Sequence, residues 1–446
     1  MSGKRMAFAV SALLCSGITH AYGAGFGITT QGVSGLGNAY SGGAAIGADA
    51  TTVYFNPAAM TLLKGKQVVG GMTLIVPDLK FKDDGSTTGG STGGQPGQNT
   101  IVPNFYSVVE LENGLYVGLG INAPFGNATD YKEDWYGRYY AIKSDFMTVN
   151  VNPSIAWRVN DQFSVGAGLS LQYLDAELSN AIDFGTIAYA QSGYNEALAP
   201  LVHNRDGKVV LEADDTGYGF NFGFLYEFND QTRMGFAYRS TISYTASGSA
   251  KFTVPETISG NPALDGAIAA SPNFANGSAK AKIKVPDSAS LSVHHQVNPD
   301  WAVMADVTWM GWSSFDELRV QFSDGRDDSV TTFDWEDQMR YSVGTTYRLN
   351  PRTILRAGLA LDEEAIPDAQ ARQPRVPGND RTWISVGLGY QVNERMGIDV
   401  GYAHLMVKDA KIDQQQSVPE NTLKGSLRGE YSNTINIVGV SLTYSF

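Results

Sequence analysis

The chain is short of the residues that organise most secreted folds and most catalytic centres. Its 446 residues include one cysteine, Cys15, and five histidines. A lone thiol excludes an internal disulfide framework. Acidic residues outnumber basic ones by 45 to 32, for a net charge of −13, which argues against nucleic acid as a partner. No run of eighteen apolar residues occurs beyond the first two dozen positions, so no helix is expected to span a bilayer. What the chain has in quantity is glycine (50) and tyrosine (22). That balance suits many alternating strands better than a doubly wound α/β domain.

The opening reads as a secretory signal over residues 1–23. Lys4 and Arg5 form the charged start, Met6 to Leu14 the apolar stretch, and Ala21-Tyr22-Gly23 a small-x-small cleavage site. Cys15 falls within it, and Leu14 is not the small residue that a lipidated cysteine would need before it. The mature chain is therefore exported without cysteine.

From about Lys66 apolar residues alternate with Gly, Ser, Thr and Asn. Six tight turns share one form: Asn113-Gly114, Asn160-Asp161, Asn229-Asp230, Asn298-Pro299, Asn350-Pro351 and Asn393-Glu394. Asn tolerates left-handed backbone angles and starts turns with its own side chain. Six short turns divide the chain into seven strand pairs, hence fourteen strands. The connections at the other end are long: 83–99, 123–143, 181–214, 253–280, 323–332, 362–380 and 411–431. Short turns at one end and long loops at the other predict an all-β fold, a 14-stranded antiparallel transmembrane barrel in an outer membrane.

Side-chain parity agrees. Trp301, Val303, Ala305, Val307 and Trp309 share one face, and the two tryptophans are about 26 Å apart at roughly 3.3 Å per residue, which suits the apolar band and its aromatic girdles. Val438, Val440, Leu442, Tyr444 and the terminal Phe446 share a face in the last strand. The opposite parity carries Asp306, Arg340, Arg356, Arg381, Trp383 and Asp399. These residues either solvate the lumen and pair with each other, or include one or two arginines that bind an anionic head group.

Residues 24–65 do not alternate. Glycines are dense there, and Pro57 follows an Asn56 cap as the first residue of a short helix. Irregular backbone at membrane depth is tolerated where protein buries it, so this segment is expected to plug the barrel formed by 66–446. Gly35-Leu36-Gly37 lacks the third glycine and the preceding strand of a dinucleotide site. No cofactor or metal motif is present.

Ala24-Gly25-Phe26, Gly35-Leu36-Gly37-Asn38-Ala39-Tyr40-Ser41-Gly42 and Asn56-Pro57-Ala58 resemble the N-terminal hatch of the FadL family of outer-membrane transporters. Matches continue through Pro124-Phe125-Gly126, Gly137-Arg138-Tyr139, Val149 to Ser154, Trp309 to Trp312, Trp335 to Tyr347, Pro374 to Pro377 and Gly401 to His404. The resemblance implies uptake of long-chain fatty acids, or of neutral aromatic hydrocarbons as in another branch of the family. It implies capture among extracellular loops, movement of Gly25 and Phe26, and lateral release where the third strand kinks. Gly118, Gly120, Asn122 and Pro124 are the kink residues, and Asn56, Pro57 and Ala58 are expected to touch that strand. The ligand-binding candidates are Arg138, Lys143, Phe184, Ile187, Phe274, Arg340, Arg375, Arg381 and Trp383. The apolar loops 181–214 and 253–280 either hold a capture groove or pack on each other as a lid. The expected partners are a hydrophobic small molecule and outer-membrane lipid, with a monomeric barrel. The rival of another class is a lipid hydrolase, but His203, His294, His295 and His404 sit in no nucleophile or metal motif.

Overall fold

The structure is a computed structural model that describes residues 25–446. The expected signal and Ala24 lie outside the described residues. The wall is one closed antiparallel barrel of fourteen strands, six of which run on across a break. In chain order they are β1 (Lys66–Asp83), β2 (Thr100–Glu110), β3 (Leu115–Asn122, resuming at Gly126–Asp130), β4 (Lys143–Arg158) and β5 (Phe163–Asp183). Next come β6 (Asp206–Glu227), β7 (Thr232–Arg239 and Ile242–Thr253), β8 (Gly277–Val285 and Ser288–Asn298) and β9 (Trp301–Met310 and Glu317–Phe322). The last are β10 (Ser329–Thr332 and Gln338–Asn350), β11 (Thr353–Asp362), β12 (Arg381–Gln391), β13 (Met396–Val407 and Ala410–Gln414) and β14 (Leu427–Ser445). Each strand pairs with its chain neighbour, and β14 closes on β1 from Gln67↔Ser445 to Asp83↔Gly429. Closure removes the open edges that could not persist in lipid.

The turns form as the Asn signatures require. Asn160, Asn229 and Asn393 each accept backbone N–H bonds from two and three residues on, and Asn113 takes the left-handed conformation at φ 60°. The outer surface carries Leu169, Phe220, Leu291, Val343, Leu359, Val386, Val400 and Val440, all exposed. A contiguous apolar exterior of this extent belongs in lipid. The inward parity holds: Asp306, Arg340, Arg381, Trp383 and Asp399 are buried.

One boundary is corrected. The sixth strand starts at Asp206, not at 215, because β5 and β6 pair without interruption from Phe163↔Tyr226 to Asp183↔Asp206. Glu177↔Glu212 and Asp175↔Asp214 are like-charged pairs in this extension. Those acids hide the alternation in the sequence, and they are tolerated because this part of the hairpin lies outside the bilayer.

The plug runs round the inside of the wall through α1 (Val33–Leu36), α2 (Gly43–Ile46), α3 (Thr52–Phe55) and a 3-10 helix, Pro57–Leu62. Asn56 caps the last, its side chain accepting from Ala58 N at 3.0 Å, with Pro57 at the first position. Its turns seat on wall glycines: a Cβ at Gly387 would lie 2.7 Å from Gly37, and one at Gly235 would lie 1.9 Å from the Ala44 carbonyl oxygen.

The Asn-Pro-Ala corner is placed differently from the sequence expectation. It packs on β5 and β6, not on β3. Asn56 Nδ2 donates to Phe224 O at 3.0 Å and to Ala44 O at 2.6 Å. A Cβ at Gly223 would fall 2.0 Å from Asn56 Oδ1, and one at Gly166 would fall 2.4 Å from Ala58 N. The physical reason is that a buried carboxamide needs carbonyl partners at close range, and these two glycines leave room for it. From α3 and the 3-10 helix, Val53 and Met60 are the side chains against Gly118 of β3.

Candidate functional site

The first described residues of the plug end in a box of rings. Phe26 lies 4.6 Å from Trp312, 4.9 Å from Phe146, 5.2 Å from Phe315, 5.8 Å from Trp335 and 6.2 Å from Phe125, centroid to centroid. Gly25 makes the entry possible. Its φ is +56°, and a Cβ there would stand 2.7 Å from the Trp312 ring and 2.9 Å from that of Trp335. The wall of the box includes Leu174, Ile242, Tyr244, Ile283 and Val285, and loop 363–380 folds inward to add Ala365, Ile366 and Val376.

The same plug residues complete the break in β3. Ile28 N donates to Pro124 O at 2.8 Å, and Gly126 N donates to Phe26 O at 2.9 Å. Gln31 Nε2 donates to Ala123 O at 2.7 Å. On the other side Phe125 N donates to Thr148 Oγ1, and Thr148 N donates to Phe125 O, each at 3.0 Å. Buried backbone groups need partners, and part of this strand's ladder is supplied by the plug. Gly118, Gly120 and Asn122 lead into the break and Pro124 lies in it, while Asn122 Oδ1 accepts from Asn150 Nδ2 at 3.0 Å.

A cavity of about 120 Å³ lies between the box and the plug. Its apolar lining includes Ile28, Phe125 and Met310; its charged lining is Arg239, Arg340, Asp306 and Asp362. A second cavity of about 250 Å³ faces the short turns and reaches Asp300 and Arg348. Tyr40, Gly43 and Phe55 line both, and the two rings are stacked at 5.7 Å, so a ring pair forms the septum.

The hydrogen bonds of Arg239 and Arg340 go to neutral groups. Arg239 donates to Tyr54 O at 3.0 Å and to Ser170 Oγ at 3.2 Å, with its guanidinium 4.3 Å from the Tyr54 ring centre. Arg340 donates to Ala39 O at 2.9 Å and stands 5.2 Å from the Trp383 ring centre, leaving Nε unpartnered. Among the described residues neither forms an ion pair within 4.0 Å. Asp306 is instead held by the hydroxyls of Ser292 and Thr308. Asp362 accepts from Gln338 and faces Arg381 at 3.6 Å.

The other candidates lie elsewhere. Arg138 pairs with Asp206 at 2.5 Å and Lys143 with Glu177 at 2.6 Å, both away from this cavity. Arg375 straps loop 363–380 to β4 and β5 by donating to Lys143 O, Ser144 Oγ and, more weakly, Ser179 O. Burial pushes its guanidinium down to about 10. Phe184 and Ile187 are buried against Ile258 and Ile268, with Phe274 4.7 Å from Phe184, so the two apolar loops pack on each other as a lid. His203 faces Asp183 at 2.6 Å, His404 shares Asn436, and His294 lines the second cavity. Arg239 and the box as a unit were missed from the sequence. Arg239 ends the first segment of β7 on inward parity, but its role depends on which plug carbonyl it meets.

A closed barrel with an apolar exterior, a plug held inside it, and a cavity with both apolar and charged lining against that plug define an outer-membrane transport barrel. The chain belongs to the family described as outer membrane protein transport protein (OMPP1/FadL/TodX), whose family profile matches residues 13–446. It is similar to the long-chain fatty acid transport protein of Escherichia coli O6:H1, with 30% identity over 420 residues and 92% of each chain covered. Outer membrane protein P1 of Haemophilus influenzae is 28% identical over 470 residues, covering 98% of each. Among solved structures, a Pseudomonas aeruginosa FadL homologue superposes with a TM-score of 0.86 at 27% identity, over 95% of this chain and all of that one. The Ralstonia pickettii toluene transporter TbuX shares the fold, with a TM-score of 0.65 at 19% identity over 95% of this chain and 99% of that one. The protein is an outer-membrane transporter, and these relatives are transporters and channels, not enzymes.

Proposed function

We propose that the cargo is a long-chain fatty acid, with its tail entering the aromatic box and its carboxylate meeting Arg239 and Arg340. The observation that supports this reading is the cavity's mixed lining: Arg239, held only by neutral groups, and Arg340 line it together with Ile28, Phe125 and Met310. A neutral hydrocarbon would add no countercharge for Arg239, which has only neutral hydrogen-bond partners in this cavity, where charge is costly. A second reading, neutral aromatic hydrocarbons, rests on the ring box, which would stack such molecules equally well.

In the proposed route the signal 1–23 is removed, the loops collect the ligand, and the plug 24–65 yields at Gly25 and Phe26. Because those residues pair with the β3 break, displacing them unlatches Ala123 to Phe125 and opens the wall 66–446 laterally towards lipid. The test is competition binding on purified protein, with oleate against toluene. Oleate should bind more tightly, and Arg239→Gln should weaken it by about 10- to 100-fold, the worth of a charge-assisted hydrogen bond, with toluene unchanged. Tighter binding of toluene, or oleate binding indifferent to Arg239 and Arg340 replacement, would refute the assignment.

A further inference from the structure

The first segment of β8 carries a feature that the proposed route leaves out. Lys280, Lys282 and Lys284 occupy successive outward positions and are all exposed, while Ala279, Ile283 and Val285 alternate with them on the buried side. Same-face neighbours on a strand are roughly 6.6 Å apart, so three ammonium groups form a stripe. On an acidic chain this is against the general trend.

No carboxylate of the neighbouring strands forms an ion pair with the stripe among the described residues; Asp215 reaches β7 opposite Lys282, where it accepts from Thr245 N at 2.6 Å. On β7 the opposing residues are Ser247, Thr245 and Ser243. On β9 Gln321 faces Lys280. Arg319, two residues before Gln321, is held by Glu317 at 2.7 Å and Asp328 at 3.3 Å. The nearby acid Glu212 is taken by Lys251 at 2.8 Å. Asp214 lies opposite Ser247 on the far side of β7, two strand spacings or roughly 10 Å from Lys280. None of the three lysines has an ion pair within 4.0 Å among the described residues.

Their height is set by the sheet register. Trp309, Ala289, Tyr238 and Phe222 form one row across β9, β8, β7 and β6. Trp309 Nε1 donates to Asp337 at 3.1 Å and the Tyr238 hydroxyl to Asp287 at 2.9 Å. Rings with an apolar body and a satisfied polar tip mark the edge of the apolar band. Lys284 lies five residues beyond Ala289 on the loop side, about 16 Å along the strand and roughly 12 Å in height at the usual tilt. The stripe therefore clears the hydrocarbon and faces the head-group layer of the outer leaflet, and Ile283 and Val285 beside it wall the ring box from within.

We infer that Lys280, Lys282 and Lys284 bind the phosphorylated sugar head group of a glycolipid in the outer leaflet. The charge is complementary, the spacing suits several phosphates on one head group, and flexible ammonium groups bind phosphate as point charges. The test is native mass spectrometry of the full mature protein in detergent. The probe is a lipid A carrying phosphorylated inner-core sugars. Wild type should retain it, with at least about tenfold loss in K280Q/K282Q/K284Q and a comparable loss when the probe is first treated with phosphatase. Millimolar inorganic phosphate should not displace it. Equal binding by the triple variant, undiminished binding of the dephosphorylated probe, or complete displacement by inorganic phosphate would each overturn the inference. The last would assign the stripe to a free anion. Heat-dependent gel mobility confirms that the variant barrel is folded.

Discussion

Phe26→Ala isolates the latch from the barrel. The side chain is 6% exposed and touches five rings. Replacing a buried phenylalanine by alanine costs about 3–5 kcal/mol when the site cannot collapse. Trp312 and Trp335 are held by β9, β10 and the loops between their segments, so the box cannot follow the plug. The barrel does not depend on Phe26, because its ladders close from β1 to β14 without it. The cost should therefore fall on one local equilibrium, docking of residues 25–28 against the β3 break. At about 1.4 kcal/mol per factor of ten, the undocked population should rise on the order of a hundredfold or more. The assay is amide hydrogen exchange at Ile28 and Gly126, whose N–H groups bond Pro124 O and Phe26 O. Both should lose protection by that factor, while amides in β1 and β14 and the thermal transition of the barrel stay as in wild type. Unchanged protection at Ile28 and Gly126 would refute the latch, as would loss of protection spread evenly round the wall.

Two further outcomes follow from the same geometry. Asn56→Ala removes two buried donor bonds and one cap, at roughly 1–3 kcal/mol for each group left unsatisfied, so the plug should loosen against β5 and β6. Planar-bilayer recording should show a leak that wild type lacks, and a tight barrel would count against this corner as an anchor. Lys424, beside the Tyr140 ring at 5.2 Å, is pushed by burial from its usual 10.5 down to about 8. Its charged form is disfavoured in the folded loop, so the unfolded segment binds the extra proton between about pH 8 and pH 10.5 and docking tightens as pH rises through that window. Protection of the Ser426 amide, which donates to Thr87 Oγ1, should climb accordingly, and Lys424→Met should flatten the profile. A flat wild-type profile would contradict it.

The wall was legible because its signals are local. Asn turns, period-two alternation and the absence of any apolar helix follow from backbone sterics and from the refusal of lipid to solvate peptide groups. These determined strand number, inward parity and the compact, glycine-rich nature of the plug. The early start of β6 escaped because acidic residues carry its outer face above the bilayer.

The site was legible only in part. Phe26, Pro124 and Arg340 stand out by motif or parity, but nothing near them in sequence says what they touch. The tertiary structure decided that Asn56 binds β6 instead of β3, that Phe26 meets Trp312 and Trp335 from strands far along the chain, and that loop 363–380 closes the box. It also decided that Arg239 rests on the plug carbonyl of Tyr54 with no carboxylate beside it. Such contacts depend on which wall glycines let the plug approach and on where each carbonyl then points. That is a property of the closed barrel around its plug, and no window of sequence contains it.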